Sequence, residues 1–458
     1  MKNTLPNIDG NFYRNLHKHY PKVDRAEGVY IWDTEGRRYL DGSGGACVVS
    51  IGHGVKEVRD AMMEQADRVS FTHGSHFTSE AAIEYAAELV SMMPSAELNK
   101  CYFLSEGSTA VETAIKLSRQ YWKDAGKPDK FKEISRWTSF HGNTAGALAL
   151  GGHTARRRFY QPLIIHTPHI EPAYCYRCPF HVTPEDCDLE CADALERTIK
   201  FEGPDSISAF VAEPVVGATA GALVPKDGYW QRVREICDTY DVLLIADEVM
   251  TGMGRCGTPI GLDTWNVVPD MLIMAKGLSS GYIPLGAVIV KEKIWETIRS
   301  GSGAFMHGHT YSMNPLAMAV GNAVLQYMKQ HELVQRSHEM GQYLIKQLNT
   351  LRYLNIVGDT RGLGTFCGVE FVKRKGTKKP FAPGRKVSSM VFDAAFKRGL
   401  VTYPGAGGAD GINGDHILIC PPFVITKEQI DELVNILRKA IEDVTQDLNP
   451  SKTFLISR

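Results

Sequence analysis

Between Pro94 and about residue 290, short apolar runs alternate with helical stretches, and each run ends in polar or charged residues. The runs are Cys101-Tyr102-Phe103-Leu104, Glu133-Ile134-Ser135-Arg136-Trp137, Ile207 to Ala212, Val242 to Ala246 and Met271 to Ala275. Runs of this length, apolar on both faces, read as strands of a mostly parallel sheet covered by helices, an α/β domain. In such a sheet the carboxyl ends of the strands share one edge, and that edge holds the ligand. Five strand ends therefore deliver Ser105-Glu106-Gly107-Ser108-Thr109, Phe140-His141-Gly142, Glu213-Pro214, Asp247-Glu248 and Lys276 to one crevice.

The flanks have other rhythms. Val29 to Trp32 and Arg37 to Leu40 predict a hairpin turning at Glu35-Gly36. Ser79 opens a predicted helix that runs to Leu89-Val90, ahead of Pro94. From about Leu325 the pattern predicts a long helix, short strands around Thr365 to Phe371, and a final helix from Thr426. Thr426 and Gln429 have capping-box spacing, and Ile430, Leu433, Val434, Leu437, Ile441 and Val444 form its apolar stripe. The expected division is an N-terminal segment (1–60) packing with a small domain, a large α/β domain (61–325) and a C-terminal α+β small domain (326–458).

Composition narrows the function classes. The chain has 458 residues and a net charge of −1, with no basic block for nucleic acid and no acidic tail. No apolar run approaches a membrane span, and Met1-Lys2-Asn3-Thr4-Leu5-Pro6 shows no secretory signal. The ten cysteines read as reduced thiols of a cytosolic protein.

The crevice residues suggest chemistry. Small residues at the start of the helix after Ser105 leave backbone N–H groups free for a phosphate, although an ordinary strand-to-helix turn has the same sequence. Lys276 is either a solvated charge or, behind a buried strand, a nucleophilic amine of lowered pKa. Asp247 suits a helix cap or a metal as well as a cofactor nitrogen. A phosphate site, a buried carboxylate and a nucleophilic lysine together point to pyridoxal phosphate, with the ring of Phe140 to stack on it.

These residues carry a resemblance. Asp247-Glu248-Val249, then Asp270 to Gly277 and Pro284-Leu285-Gly286-Ala287, are similar to the class III (ω-amino acid type) aminotransferases of fold type I. Gly107-Ser108, Phe140-His141-Gly142, Glu213-Pro214, Gly308 to Tyr311 and Cys420 to Phe423 support the likeness, which runs from about Val29 to Thr426. It implies that Lys276 carries the cofactor as a Schiff base and shuttles the substrate proton. Asp247 would pair with the pyridine nitrogen, and Val249 would press the ring face opposite Phe140. Glu213 would lie near the phenolic oxygen, and His141 would also belong to the cofactor site. Gly107 and Ser108 would bind the phosphate, joined by Thr310 of the partner subunit. The smallest active unit would then be a homodimer with shared sites, which could assemble further into a tetramer.

The chain departs from the family at several positions. Phe140 stands where the family usually has Tyr. The phosphate loop is shifted, so that Glu106 has to point away from the anion. The glutamate-accepting branch has a Glu at the position of Ala218 and an Arg near Leu418, and both are missing. No arginine lies between Arg398 and Arg438. Arg361 is a candidate to bind a substrate carboxylate and equally a candidate to brace its strand. The glycine-rich loop Tyr403 to Gly411 could close over the site, and Gly44 to Val49 would line it.

The resemblance implies transfer of an amino group from an amine or ω-amino acid to a 2-oxo acid such as pyruvate. The same residues also serve decarboxylation, racemisation and amino migration. Cys175, Cys178, Cys187 and Cys191 have a spacing compatible with tetrahedral zinc, but free thiols are the preferred reading and no metal site is assigned. A nicotinamide enzyme lacks its glycine fingerprint here. A zinc-stabilised binding protein leaves the five polar strand ends unexplained.

Overall fold

The computed structural model describes residues 10–448; the Met1 to Pro6 stretch lies outside them. The central sheet has seven strands, in the order Leu98–Leu104, Gly286–Lys291, Met271–Met274, Leu243–Asp247, Ile207–Ala212, Lys132–Arg136 and His169–Ile170. Five of the seven are the strands expected from the apolar runs. Gly286–Lys291 is antiparallel to both neighbours, and the remaining pairs among the core strands are parallel. An antiparallel strand needs no helical crossover, so it can follow Met274 after a short connection. Because it runs backwards, it presents its amino end at the ligand edge, and Pro284 and Leu285 reach the crevice there.

Helices cover both faces of this sheet. On one, Val111, Ala114 and Leu117 of Gly107–Asp124 pack on Leu104, Val211 and Ile245. On the other, Tyr229–Thr239 and Glu190–Glu202 bury Trp230, Val233 and Leu195 with Phe210 and Leu244. Burial on both faces is why these strands carry no polar alternation.

The local expectations for the flanks hold. Tyr30–Asp33 pairs antiparallel with Arg38–Asp41, and Asp33 Oδ1 accepts the N–H groups of Glu35 (3.0 Å) and Arg37 (2.9 Å) across the turn. Ser79 Oγ caps Glu80–Val90 by accepting the N–H of Ala82 at 3.2 Å. At Lys427–Leu448 the capping box forms both bonds: Thr426 N–H to Gln429 Oε1 (2.9 Å) and Gln429 N–H to Thr426 Oγ1 (3.3 Å). Its predicted stripe is buried throughout.

Three expectations change. The long helix near Leu325 is two helices, Pro315–Gln330 and Leu333–Asn349, broken where Glu332 takes a left-handed φ of 49°. The first starts well before residue 325, capped by Asn314, whose side chain accepts from Ala317 N–H at 3.0 Å. Part of the glycine-rich loop is a strand: Tyr403–Ala406 pairs with Asp415–Ile419 at the edge of a four-stranded antiparallel sheet. An edge position tolerates Pro404, which has no N–H to give. Finally, not all cysteines are free thiols. Cys47 and Cys420, 373 positions apart, form a disulfide, and the other eight are free. Separately, the N-terminal hairpin is extended by a parallel strand from far along the chain, Leu400–Val401, beside Leu40 and Asp41.

Candidate active site

The strand ends converge on a cavity of about 420 Å³. Gly107, Ser108, Phe140, His141, Glu213, Asp247, Val249 and Lys276 all line it. Thr310 does not: it is exposed on the surface of its own chain, outside the cavity. Val48, from the N-terminal glycine-rich segment, is part of the wall.

Asp247 is the last residue of Leu243–Asp247, at the centre of the sheet, and is buried. Its Oδ2 lies 2.7 Å from His141 Nδ1, and Oδ1 accepts the N–H of Val249 at 3.1 Å. A carboxylate only accepts, so Nδ1 of His141 carries the hydrogen. The other ring nitrogen of His141 lies 3.1 Å from Ser135 Oγ. The imidazole is thereby fixed between two strands and holds the carboxylate in one orientation.

Lys276 follows Met271–Met274 and has a left-handed φ of 47°, an uncommon conformation for a residue with a side chain. Burial lowers its pKa to about 8, while Asp247 and Glu213 oppose the shift and Arg156 and Arg255 add to it. The amine is therefore closer to its neutral, nucleophilic form at physiological pH than a surface lysine. Glu213 ends at the same edge. Burial pushes its carboxyl up to about 7, with His141 and Arg136 opposing. Its Oε2 is buried with no hydrogen-bond partner among the described residues. An orphaned buried acceptor is costly unless a ligand satisfies it.

The start of Gly107–Asp124 forms the end wall of the cavity. Glu106 is its N-cap, with an exposed side chain that makes no cap bond, while its carbonyl accepts from Ala110 N–H (3.1 Å) and Thr109 Oγ1 (2.9 Å). The N–H groups of the first turn have no intrahelical partner and are free for an anion. Space here is tight. A Cβ on Gly107 would lie 3.3 Å from both methyls of Val249, and one on Gly142 would lie 2.7 Å from Ser108 Oγ. The half-buried ring of Phe140 and the side chain of Val249 both face the cavity.

A lysine amine, a histidine-held carboxylate, an unsatisfied acid and a helix start thus share one cavity. The class III aminotransferase family profile matches residues 12–441. The chain belongs to the class III aminotransferases. It is 42% identical to the uncharacterized aminotransferase YodT of Bacillus subtilis, over 94% of this chain and 97% of that protein. It is 34% identical to the putrescine–pyruvate aminotransferase of Pseudomonas aeruginosa, over 94% and 92% of the two chains. Among solved structures, the ω-transaminase of Pseudomonas jessenii in complex with PMP superposes with a TM-score of 0.88 at 31% identity, covering 94% of each chain. The aminotransferase has the fold type I architecture of these enzymes and is a pyridoxal phosphate-dependent transaminase. Glu213 Oε2, the free first turn at Gly107 and the gap between Phe140 and Val249 fit that cofactor.

Other candidates fall away from the site. Arg361 is spent on structure: Nε donates to Gly221 O (2.9 Å), Nη1 to Asp359 (2.9 Å) and Glu370 (2.8 Å), and Nη2 to Ala220 O. Its alternative as a substrate clamp is thereby resolved in favour of bracing. Cys175, Cys178, Cys187 and Cys191 are free thiols close enough to influence one another. Burial raises Cys191 to about 12, and the other three thiols add to the shift. No group of three or more potential ligands is placed to hold a metal among the described residues. The sequence reading missed Ser135, whose contact with His141 has no local signal, and Arg156, considered below. It also missed Glu248, whose Oε2 accepts Gly261 N–H at 2.8 Å and whose Oε1 accepts Leu262 N–H at 3.1 Å, fixing the segment after Asp247.

Proposed function

We propose that this aminotransferase takes its amino group from an amine or ω-amino acid and passes it to a 2-oxo acid such as pyruvate. The observation that carries this reading is Lys276 facing Asp247 and Glu213 in one cavity with no glutamate-type carboxylate clamp. Ala218 stands where that clamp would have Glu, no arginine lies near Leu418 in the sequence, and Arg361 is bound elsewhere. Relatives named putrescine–pyruvate aminotransferase and gamma aminobutyrate transaminase 2 accord with such donors.

When bound, pyridoxal phosphate supplies an electron sink that lets an amino group leave one carbon and join another. The protein's residues do the rest. Lys276, whose amine pKa is lowered to about 8 by burial, would hold the cofactor and move the proton. Asp247, fixed by His141, would pair with the pyridine nitrogen and keep it protonated. Glu213, its carboxyl raised to about 7 by burial, would lie near the phenolic oxygen and could share a hydrogen with it. Phe140 and Val249 would clamp the ring, and Gly107 and Ser108 would bind the phosphate.

The proposed unit is a homodimer in which Thr310 of the partner subunit completes the phosphate site. Its support is an exposed apolar patch around Thr310: Met306 is 82% exposed, and Tyr311 is 62% exposed with Phe71 against its ring. The proposed domains are 1–60, 61–325 and 326–458. A second core built from Met340 to Val444 and joined by Val29 and Leu40 supports that division, while Cys47, Ile51, Phe366, Leu418 and Phe423 pack into the core of the large sheet. No described helix is long and apolar enough to cross a membrane. Eight of the ten cysteines are free, which supports the proposal of a cytoplasmic location, while the Cys47–Cys420 disulfide weighs against it.

The test is the absorbance spectrum of the purified protein during addition of a panel of amines without acceptor. A donor that discharges the cofactor band, followed by its recovery on adding pyruvate, is the expected result. A band that no amine discharges but an amino acid turns over by decarboxylation or racemisation would replace this reading.

A further inference from the structure

A 2-oxo acid brings a carboxylate into a cavity whose own walls supply carboxylates. Some cation has to meet it, and the arginines nearest the site are nearly all committed. Arg136 donates to Glu213 O, and Arg255 donates to Val49 O (3.0 Å) and Pro421 O (2.7 Å). Arg361 is held by two acids and two carbonyls.

Arg156 is different. It belongs to the short helix Thr154–Arg157, is half-buried, and its guanidinium has no hydrogen bond or ion pair among the described residues. It rests on the ring of Phe140, 4.0 Å from the centroid. Phe140 is itself a wall of the cavity. The charge of Arg156 also reaches Lys276, where it is one of the groups lowering the amine's pKa. The helix is anchored to the segment from Tyr403 to Gly411. His153 Nε2 lies 2.9 Å from Ala406 O, and a Cβ on Gly411 would lie 2.7 Å from Thr154 Oγ1. The loop from Tyr403 to Gly411 therefore packs beside Arg156 but brings no arginine of its own.

We propose that Arg156 is the residue that binds the carboxylate of the 2-oxo acid acceptor, leaving the Phe140 ring to form a bidentate pair with it. This rests on the transaminase reading with a 2-oxo acid acceptor. The physical basis is that a planar guanidinium parked on an aromatic face keeps all its N–H donors, and a carboxylate matches their fork. Acceptors and ω-amino acid donors use this contact, whereas plain monoamines do not. Arg156 is thus a specificity-determining residue.

The test separates the two half-reactions by stopped-flow absorbance. In Arg156→Ala, the apparent Kd for pyruvate rises on the order of 10- to 100-fold, as for loss of a hydrogen bond to a charged group. The half-reaction with butylamine keeps its rate within about threefold. Arg156→Lys recovers part of the pyruvate affinity, since it keeps the charge and loses the fork. Calorimetric binding of propionate, an unreactive carboxylate, weakens in parallel. An unchanged pyruvate Kd in Arg156→Ala overturns the assignment. So does an equal fall in both half-reactions with loss of cofactor, which would make Arg156 a support for Phe140. A wild-type enzyme that is discharged by amines but recharged by no 2-oxo acid overturns the acceptor reading itself, and the assignment with it.

Discussion

His141 Nδ1 lies 2.7 Å from Asp247 Oδ2, with both side chains buried and 106 positions between them. The pair places a carboxylate in the cavity wall and orients it from the segment that follows Lys132–Arg136, a strand two places away in the sheet. Asp247→Asn keeps the shape and removes the charge, so transaminase kcat/KM should fall by about 10² to 10⁴. His141→Ala leaves a buried carboxylate without its charge-assisted bond and should cost about 2 kcal/mol of stability. Steady-state kinetics on the first variant and denaturant unfolding of the second check the two effects separately.

Lys276 links pH to both chemistry and stability. Its folded pKa of about 8 lies below its ordinary 10.5. Below pH 8 the folded protein holds a buried charge that the unfolded chain carries at no cost, so the lysine destabilises the apoprotein there. Between about 8 and 10.5 the folded state loses the proton first, and the penalty lifts as pH rises. Apoprotein Lys276→Met should therefore unfold at higher denaturant than wild type at pH 7, and the two should converge near pH 10.5. Cofactor capture by wild-type apoprotein should accelerate through pH 8, and Lys276→Ala should lose transamination altogether. If borohydride reduction fixes the cofactor to another lysine, the role assigned to Lys276 fails.

Arg361 should prove structural. It pairs with Asp359 and Glu370 where all three side chains are largely buried. Arg361→Ala strands those acids and should destabilise the fold by about 3 to 5 kcal/mol. The folded fraction should keep its KM for pyruvate. A large rise in that KM without loss of stability would return Arg361 to the substrate site.

Gly142 has a φ of 139°, and a Cβ there would lie 2.7 Å from Ser108 Oγ. Gly142→Ala combines backbone strain with displacement of the Ser108 side chain, which is proposed to bind the phosphate. Cofactor affinity should drop by about tenfold or more, from strain of roughly 1–3 kcal/mol. Equilibrium dialysis of the apoprotein with pyridoxal phosphate measures it.

Short-range features of this protein were legible in its sequence. The strands that end at Asp247 and Lys276, the hairpin at Glu35-Gly36 and the capping box at Thr426 and Gln429 all depend on residues a few positions apart. Apolar periodicity and cap chemistry act over that distance, so the pattern of side chains carries them directly. The convergence of five strand ends on one cavity was also readable, because parallel strands share an edge whatever their order.

Tertiary structure alone decided the partners. Nothing near Asp247 names His141, and nothing near Arg361 names Glu370. Cys47 meets Cys420 only because the N-terminal segment returns to the C-terminal sheet, where Cys420 N–H donates to Gly42 O at 2.8 Å. The break at Glu332 and the edge strand at Tyr403 likewise follow from packing and pairing against distant elements, which override local preference. Arg156 shows the same division. Its charge is in the sequence, but its lack of a hydrogen-bonding partner among the described residues and its place on the Phe140 ring exist only once the chain has folded.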